Sequence, residues 1–163
     1  MRYVAMLRGI GPGNPNMHGS KLCAVFMKLG FTNVVSVISS GNVVFDTLSK
    51  NVVALEAKIE KALPKQLGFT STTIIRSRDD LEVLVKKNPF RGKTHGRSTY
   101  LIVTFLKDPT LVRGGVICTT INLGQPGVLD VMTRLEKKYA KAVTTRTWLT
   151  VLRIIKKMES RVS

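Results

Sequence analysis

No stretch of this chain approaches the roughly 20 consecutive apolar residues that a bilayer-crossing helix needs. The N-terminal run "RYVAMLRGI" is closed early by Arg8 and lacks the layout of a secretory signal. A soluble cytoplasmic protein is expected. Cysteine is scarce: Cys23 and Cys118 are the only two, each inside an apolar-periodic segment. So placed, they make neither a disulfide scaffold nor a ligand set, and read as buried small side chains in a reducing compartment. His18 and His95 lie far apart, each beside a glycine and without a carboxylate cluster, so neither a metal nor a cofactor is expected. No nucleophile–base pair and no paired carboxylates stand out, and no catalytic residue is named. Aromatic residues are 6% of the chain, too few for recognition by base stacking.

Acidic side chains are the other shortage. Ten Asp and Glu stand against 26 Lys and Arg, for a formal charge of +16 over 163 residues. Residues 1–75 hold 8 basic and 3 acidic side chains, whereas residues 76–163 hold 18 and 7. An excess of this size concentrates polyanions near the surface without specifying which polyanion.

What is present is a regular alternation of apolar patterns. "YVAMLRGI" (3–10) reads as a strand and "GPGNPN" (11–16) as a loop. In residues 17–31, Leu22, Val25, Phe26 and Leu29 share one helical face, and Gly30 supplies the stop. "VVSVIS" (34–39) and "NVVFDT" (42–47) are β-branched runs around Ser40-Gly41, a hairpin signal. Residues 51–68 carry Val52, Leu55, Ile59 and Leu63 on one stripe, with Pro64 and Gly68 expected to close the helix. "STTIIRS" (71–77) is a further strand, which completes the order β-α-β-β-α-β of a split-βαβ, ferredoxin-like unit. A short helix over 78–90 follows, with Ser77 as N-cap and Asp79 and Asp80 in its first turn. The basic loop "RGKTHGR" (91–97) is the candidate boundary. Strands at 98–106 and 115–121 and helices at 126–140 and 145–158 make the rest α+β as well. No sequence repeat is found. The expected organisation is a ferredoxin-like subdomain at 1–77, a helix and basic linker at 78–97, and a second α+β subdomain at 98–163, packed through a shared interface.

Three places offer function. The loop "RGIGPGNPN" sits where phosphate-cradling loops occur, but it fits neither G-x-x-x-x-G-K-[ST] nor G-x-G-x-x-G. In a ferredoxin-like sheet the end of the first strand lies beside the start of the third. Arg8 is therefore expected within about two strand spacings, roughly 10 Å, of Ser40, Gly41 and Asn42. That rim is either a plain hairpin or a small polar site where Arg8 grips an anion. An RRM-like surface is disfavoured. The first strand is apolar on both faces (Tyr3, Ala5 and Leu7 against Val4 and Met6), so both faces are expected to be covered.

The last helix is the third place. Trp148, Val151, Leu152 and Ile155, extended by Met158, form its apolar stripe, with Trp148 the expected buried anchor and Thr144 or Thr145 the cap. Arg146, Arg153, Lys156, Lys157 and Arg161 gather on the far side, and the preceding helix adds Arg134, Lys137, Lys138 and Lys141. This is either a solvated face or a phosphate-binding surface; a membrane role conflicts with the core's need for the stripe.

The blocks "YVAMLRGI", "LGFTNVVSVISSGNVVF", "RSRDDLEVLVKKNPF" and "TTRTWLTVLRI" resemble, in order, the signature blocks of the bacterial DUF1697 family. The resemblance implies two ferredoxin-like subdomains and brings no activity with it. The chain departs from the family where "RGINVGG" reads "RGIGPGN" and where "TRNWNT" reads "TRTWLT", with Thr147 and Leu149 replacing asparagines. Residues 107–126 also match poorly. Any polar site the family builds from those asparagines is lost or altered here. The functional expectation is weak, sequence-nonspecific binding of nucleic acid or another polyanion through phosphates. The alternative is a small-molecule anion-binding protein or enzyme that uses the Arg8/Asn42 rim.

Overall fold

The computed structural model describes residues 1–39, 41–125 and 130–160. Ser40, Arg161 and the first four residues of the expected 126–140 helix lie outside the described residues. The first half runs β1 (Arg2–Leu7), α1 (Gly19–Lys28), β2 (Thr32–Ser36), β3 (Asn42–Asp46), α2 (Val52–Leu67), β4 (Thr73–Ser77) and α3 (Arg78–Lys86). The second half runs β5 (Thr99–Leu106), β6 (Val116–Asn122), α4 (Asp130–Tyr139), β7 (Val143–Thr147) and α5 (Trp148–Glu159). Two antiparallel sheets result, in the orders β2-β3-β1-β4 and β6-β5-β7. The molecule is therefore mixed α and β, as expected, with five α-helices among the described residues.

Local chemistry explains most element ends. Ser77 and Asp80 form a reciprocal capping box at the start of α3. Asn51 caps α2, and Gly68, with φ 76°, ends it in the left-handed conformation. Pro64 does not close α2: it lies inside the last turn, where its fixed φ is helical and only one backbone bond is lost. The cap of α5 is Thr147, whose hydroxyl accepts from the Thr150 N–H at 3.3 Å, and not Thr144 or Thr145.

The core has two compartments on either side of the first sheet. Tyr3, Ala5 and Leu7 of β1 face α1 and α2, packing with Phe26, Phe45 and Ile59. Val4 and Met6 face the other way, into a compartment shared with Leu101, Val103 and Phe105 of the second sheet. Helices α3 and α5 pack side by side in that shared compartment through Leu81, Leu84, Val151, Ile154, Ile155 and Met158. Both faces of β1 are thus buried, so no open RRM-like surface exists on it. Trp148 is half-buried at the edge of this compartment, edge-on to Phe90 with ring centroids 5.2 Å apart.

Candidate functional site

Helix α4 carries its charge in a pattern fixed by the 3.6-residue turn. Arg134, Lys137 and Lys138 stand at i, i+3 and i+4, all exposed, and none has a carboxylate within 4 Å among the described residues. Ala140, at φ 52°, ends the helix and sets exposed Lys141 beside it. Glu136, on another side of α4, accepts from Arg8 Nη2 at 3.2 Å, while Arg8 Nη1 donates to the Val143 carbonyl at 3.0 Å. Arg8 and Lys141 line one shallow cleft of about 500 Å³ with Gly9, Glu60, Ser71 and Thr72. Lys107 engages Glu60 there, so that carboxylate is already neutralised.

Arg8 therefore belongs with α4. The Arg8 backbone passes close to the turn, since the Leu7 N–H donates to the Gly41 carbonyl at 2.8 Å. Its guanidinium, however, is turned to the second half. The basic residue that meets Gly41 and Asn42 is Arg146. It does not sit on the solvent face of the last helix, because α5 starts only at Trp148; it lies in β7 and is 8% exposed. Its Nε donates to Asn42 Oδ1 at 2.6 Å, its Nη1 to Thr144 Oγ1 at 2.7 Å and to the Thr145 carbonyl at 2.8 Å, and its Nη2 to the Leu7 carbonyl at 3.0 Å. Asn42 is buried, and its amide also donates to the Val37 carbonyl at 3.1 Å. The rim residues Gly41 and Asn42 thus serve a clasp between the halves.

Arg76 in β4 is the counterpart of Arg146. It too is buried, directly before a capping Ser/Thr and a helix, and opposite a valine of the central strand (Val4, as Val103 is opposite Arg146). Arg146 reaches the carbonyls of Leu7 and Gly41; Arg76 reaches those of Leu106 and Gly115. Each arginine grips the end of the other half's central strand and a glycine at positive φ, 79° at Gly41 and 69° at Gly115. Even the next residues correspond, since Arg8 donates to the carbonyl starting β7 and Lys107 to the one starting β4. Burial pushes both guanidiniums down from their ordinary value, Arg146 to about 10, which leaves them cationic at neutral pH.

Arg153, Lys156 and Lys157 are exposed on α5 as expected. They do not join the α4 group. The end of α5 meets the start of β1, where Arg2 Nη2 donates to the Ser160 carbonyl at 3.4 Å, whereas α4 meets its far end at Arg8. A six-residue strand, about 20 Å long, lies between these two contacts. Among the described residues no group of three His, Cys, Asp or Glu could hold a metal ion. His95 is structural, accepting from the Leu101 N–H at 3.0 Å and stacked on Tyr100. Burial raises both free thiols, so neither is a ready nucleophile. No helix among the described residues is long and apolar enough to cross a membrane.

No curated protein matches the chain. Among solved structures, the conserved bacterial protein SP0830 from Streptococcus pneumoniae is similar, with a TM-score of 0.62 and 19% identity over 97% of this chain and 98% of that one. At that identity the likeness concerns the fold alone. A family model described as "Protein of unknown function (DUF1697)" matches residues 1–116. With most of its length matched in this way, the chain belongs to the DUF1697 family.

Proposed function

We propose that this protein binds nucleic acid weakly and without sequence preference, gripping phosphates with Arg134, Lys137 and Lys138 of α4 and with Lys141 beside them. The observation that carries this reading is that these four exposed cations stand on α4 and just after its end without a carboxylate within 4 Å among the described residues. Side chains so placed neutralise phosphates and release counterions, and phosphate contacts carry no sequence information. The patch on α5 (Arg153, Lys156, Lys157) adds a second contact. Free thiols at Cys23 and Cys118 suit the reducing cytoplasm. We read residues 1–77 and 98–163 as two ferredoxin-like subdomains joined by 78–97; the strand order β2-β3-β1-β4 supports this for the first.

The test is a salt titration of binding to duplex DNA, single strands and RNA. Four phosphate contacts on duplex DNA give a log–log slope of about −4, and affinity no better than about micromolar near physiological salt. Replacing Arg134, Lys137 and Lys138 together by glutamine flattens the slope by about three units, equally for every sequence. The same exchange at Arg153, Lys156 and Lys157 changes it less. Absence of binding at low salt, where attraction is strongest, overturns the reading.

The shallow cleft at Arg8 and Lys141 favours a second reading, a small phosphorylated or carboxylated ligand. Millimolar pyrophosphate then protects the chain against thermal unfolding, and Arg8→Gln abolishes the protection while leaving the α4 slope intact.

A further inference from the structure

The two halves differ in one strand. β3 of the first sheet is covered by β2, whereas its counterpart β6 is an edge. The shared pattern of arginine contacts aligns Gly115 with Gly41, hence Val116 with Asn42 and Cys118 with Val44. In the first half Val35 pairs with Val44, the Val37 N–H donates to the Asn42 carbonyl at 2.8 Å, and both valines pack into the shared core. No described residue does this for β6. Beside it lies a cleft of about 450 Å³ between α3 and the second sheet, walled by Leu84, Phe105, Val116 and Cys118, with Val83 on its lip at 52% exposure. Lys87 and Arg113 stand at its mouth, exposed and without a carboxylate within 4 Å among the described residues. Asp80 is occupied by the capping box.

The backbone of β6 is open as well. The Leu123 N–H donates to the Ser98 carbonyl at 2.8 Å, and antiparallel ladders alternate, so Val116, Cys118 and Thr120 turn their N–H and C=O groups away from β5. The edge strand β4 is treated differently. Glu60 and Glu56 of α2 accept its Thr73 and Ile75 N–H groups at 3.0 Å. No described side chain serves β6 in that way, and bare edges pair readily with other chains.

We propose that β6 and its cleft dock an extended segment of a partner protein, which adds a fourth strand to the second sheet as β2 does to the first. Two apolar side chains of that segment, two residues apart, enter the cleft opposite Val116 and Cys118, and acidic residues flanking them meet Lys87 and Arg113. The cationic mouth selects an acidic partner, and the charge of +16 opposes a second copy of this chain. A small apolar acid would leave the three outward backbone positions unpaired, whereas an added strand satisfies them.

The probe is a labelled decapeptide that alternates valine and threonine and carries two acidic residues at each end, titrated into the full chain. Binding by anisotropy is expected, with slowed amide exchange at Val116, Cys118 and Thr120. The same peptide N-methylated at alternate amides binds at least about tenfold more weakly, because methylation removes ladder donors. Lys87→Gln combined with Arg113→Gln, both exposed positions, weakens the acid-flanked peptide about tenfold and leaves a neutral-flanked one unchanged. Equal binding of the methylated peptide, or no protection at β6, overturns strand addition. So does binding of decanoate in the cleft without binding of the peptide, or a dimer by sedimentation that protects β6 with no peptide present.

Discussion

A guanidinium that donates to Asn42, Thr144 and the carbonyls of Leu7 and Thr145 has exchanged water for fixed protein acceptors. Removing it strands those acceptors inside the protein, and an unsatisfied buried group costs more than a hydrogen bond contributes. Arg146→Met is therefore expected to destabilise the protein by about 3–5 kcal/mol in urea denaturation, with Arg146→Lys in between because a point charge lacks the planar fork. Arg153→Gln, on the exposed side of α5, changes stability by less than about 0.5 kcal/mol. Glu56 gives a pH signature. It is 2% exposed, and burial raises its carboxyl above the ordinary value, outweighing the Ile75 N–H and the Lys107 charge. Where the folded pKa lies above the unfolded one, the folded state holds the extra proton, so stability falls as pH rises through the interval between them. The urea midpoint of the wild type relative to Glu56→Gln thus increases as pH is lowered from 7 to 5. A difference that is flat or reversed would show that Glu56 keeps its charge throughout.

Among the elements, the two strand–Arg–cap–helix units invite direct comparison. Ser77→Ala and Thr147→Ala each remove a side-chain acceptor from a helix N-terminus and are expected to cost about 1 kcal/mol, the former more because its reciprocal bond to Asp80 goes too. Trp148 touches Phe90 edge-on but stays half-buried, so Trp148→Ala costs about 2–3 kcal/mol, below the 3–5 kcal/mol range of a fully enclosed aromatic. Helix faces such as Leu22, Val25 and Phe26, or Leu55, Ile59 and Leu63, could be read from periodicity because one helix buries one stripe. The start of α5 could not. Its pattern continues backwards through Arg146 as if helical, yet "VTTRT" pairs with β5 as a strand. Propensity near a strand–helix junction is weaker than five-residue pairing across a sheet.

At the scale of the molecule, the shared compartment joins the halves. Val4, Met6, Val44 and Ile74 from one sheet and Leu101, Val103 and Phe105 from the other close on the same two helices. One cooperative unfolding transition is expected, with matching calorimetric and van't Hoff enthalpies. A fragment ending at residue 97 would expose the inner face of the first sheet together with Leu81 and Leu84, and is expected to bind a hydrophobic dye or aggregate. A monomeric, dye-silent fragment would show that the first half is sufficient by itself.

From the sequence alone follow the elements of the first half in their order, the buried faces of α1 and α2, the cap at Ser77 and the excess of positive charge. These depend on neighbours a few residues away and on composition. Only the tertiary structure decided which basic residues face water. Arg146 is withdrawn by Asn42, 104 residues distant, Arg8 is drawn to Glu136, and Arg134, Lys137 and Lys138 are left exposed. It also decided that, among the described residues, β6 has no neighbour on its outer side where β3 has β2. The local pattern of an arginine in a strand is the same in both outcomes; its fate is set by which carbonyls and carboxylates the fold brings within about 3 Å of it.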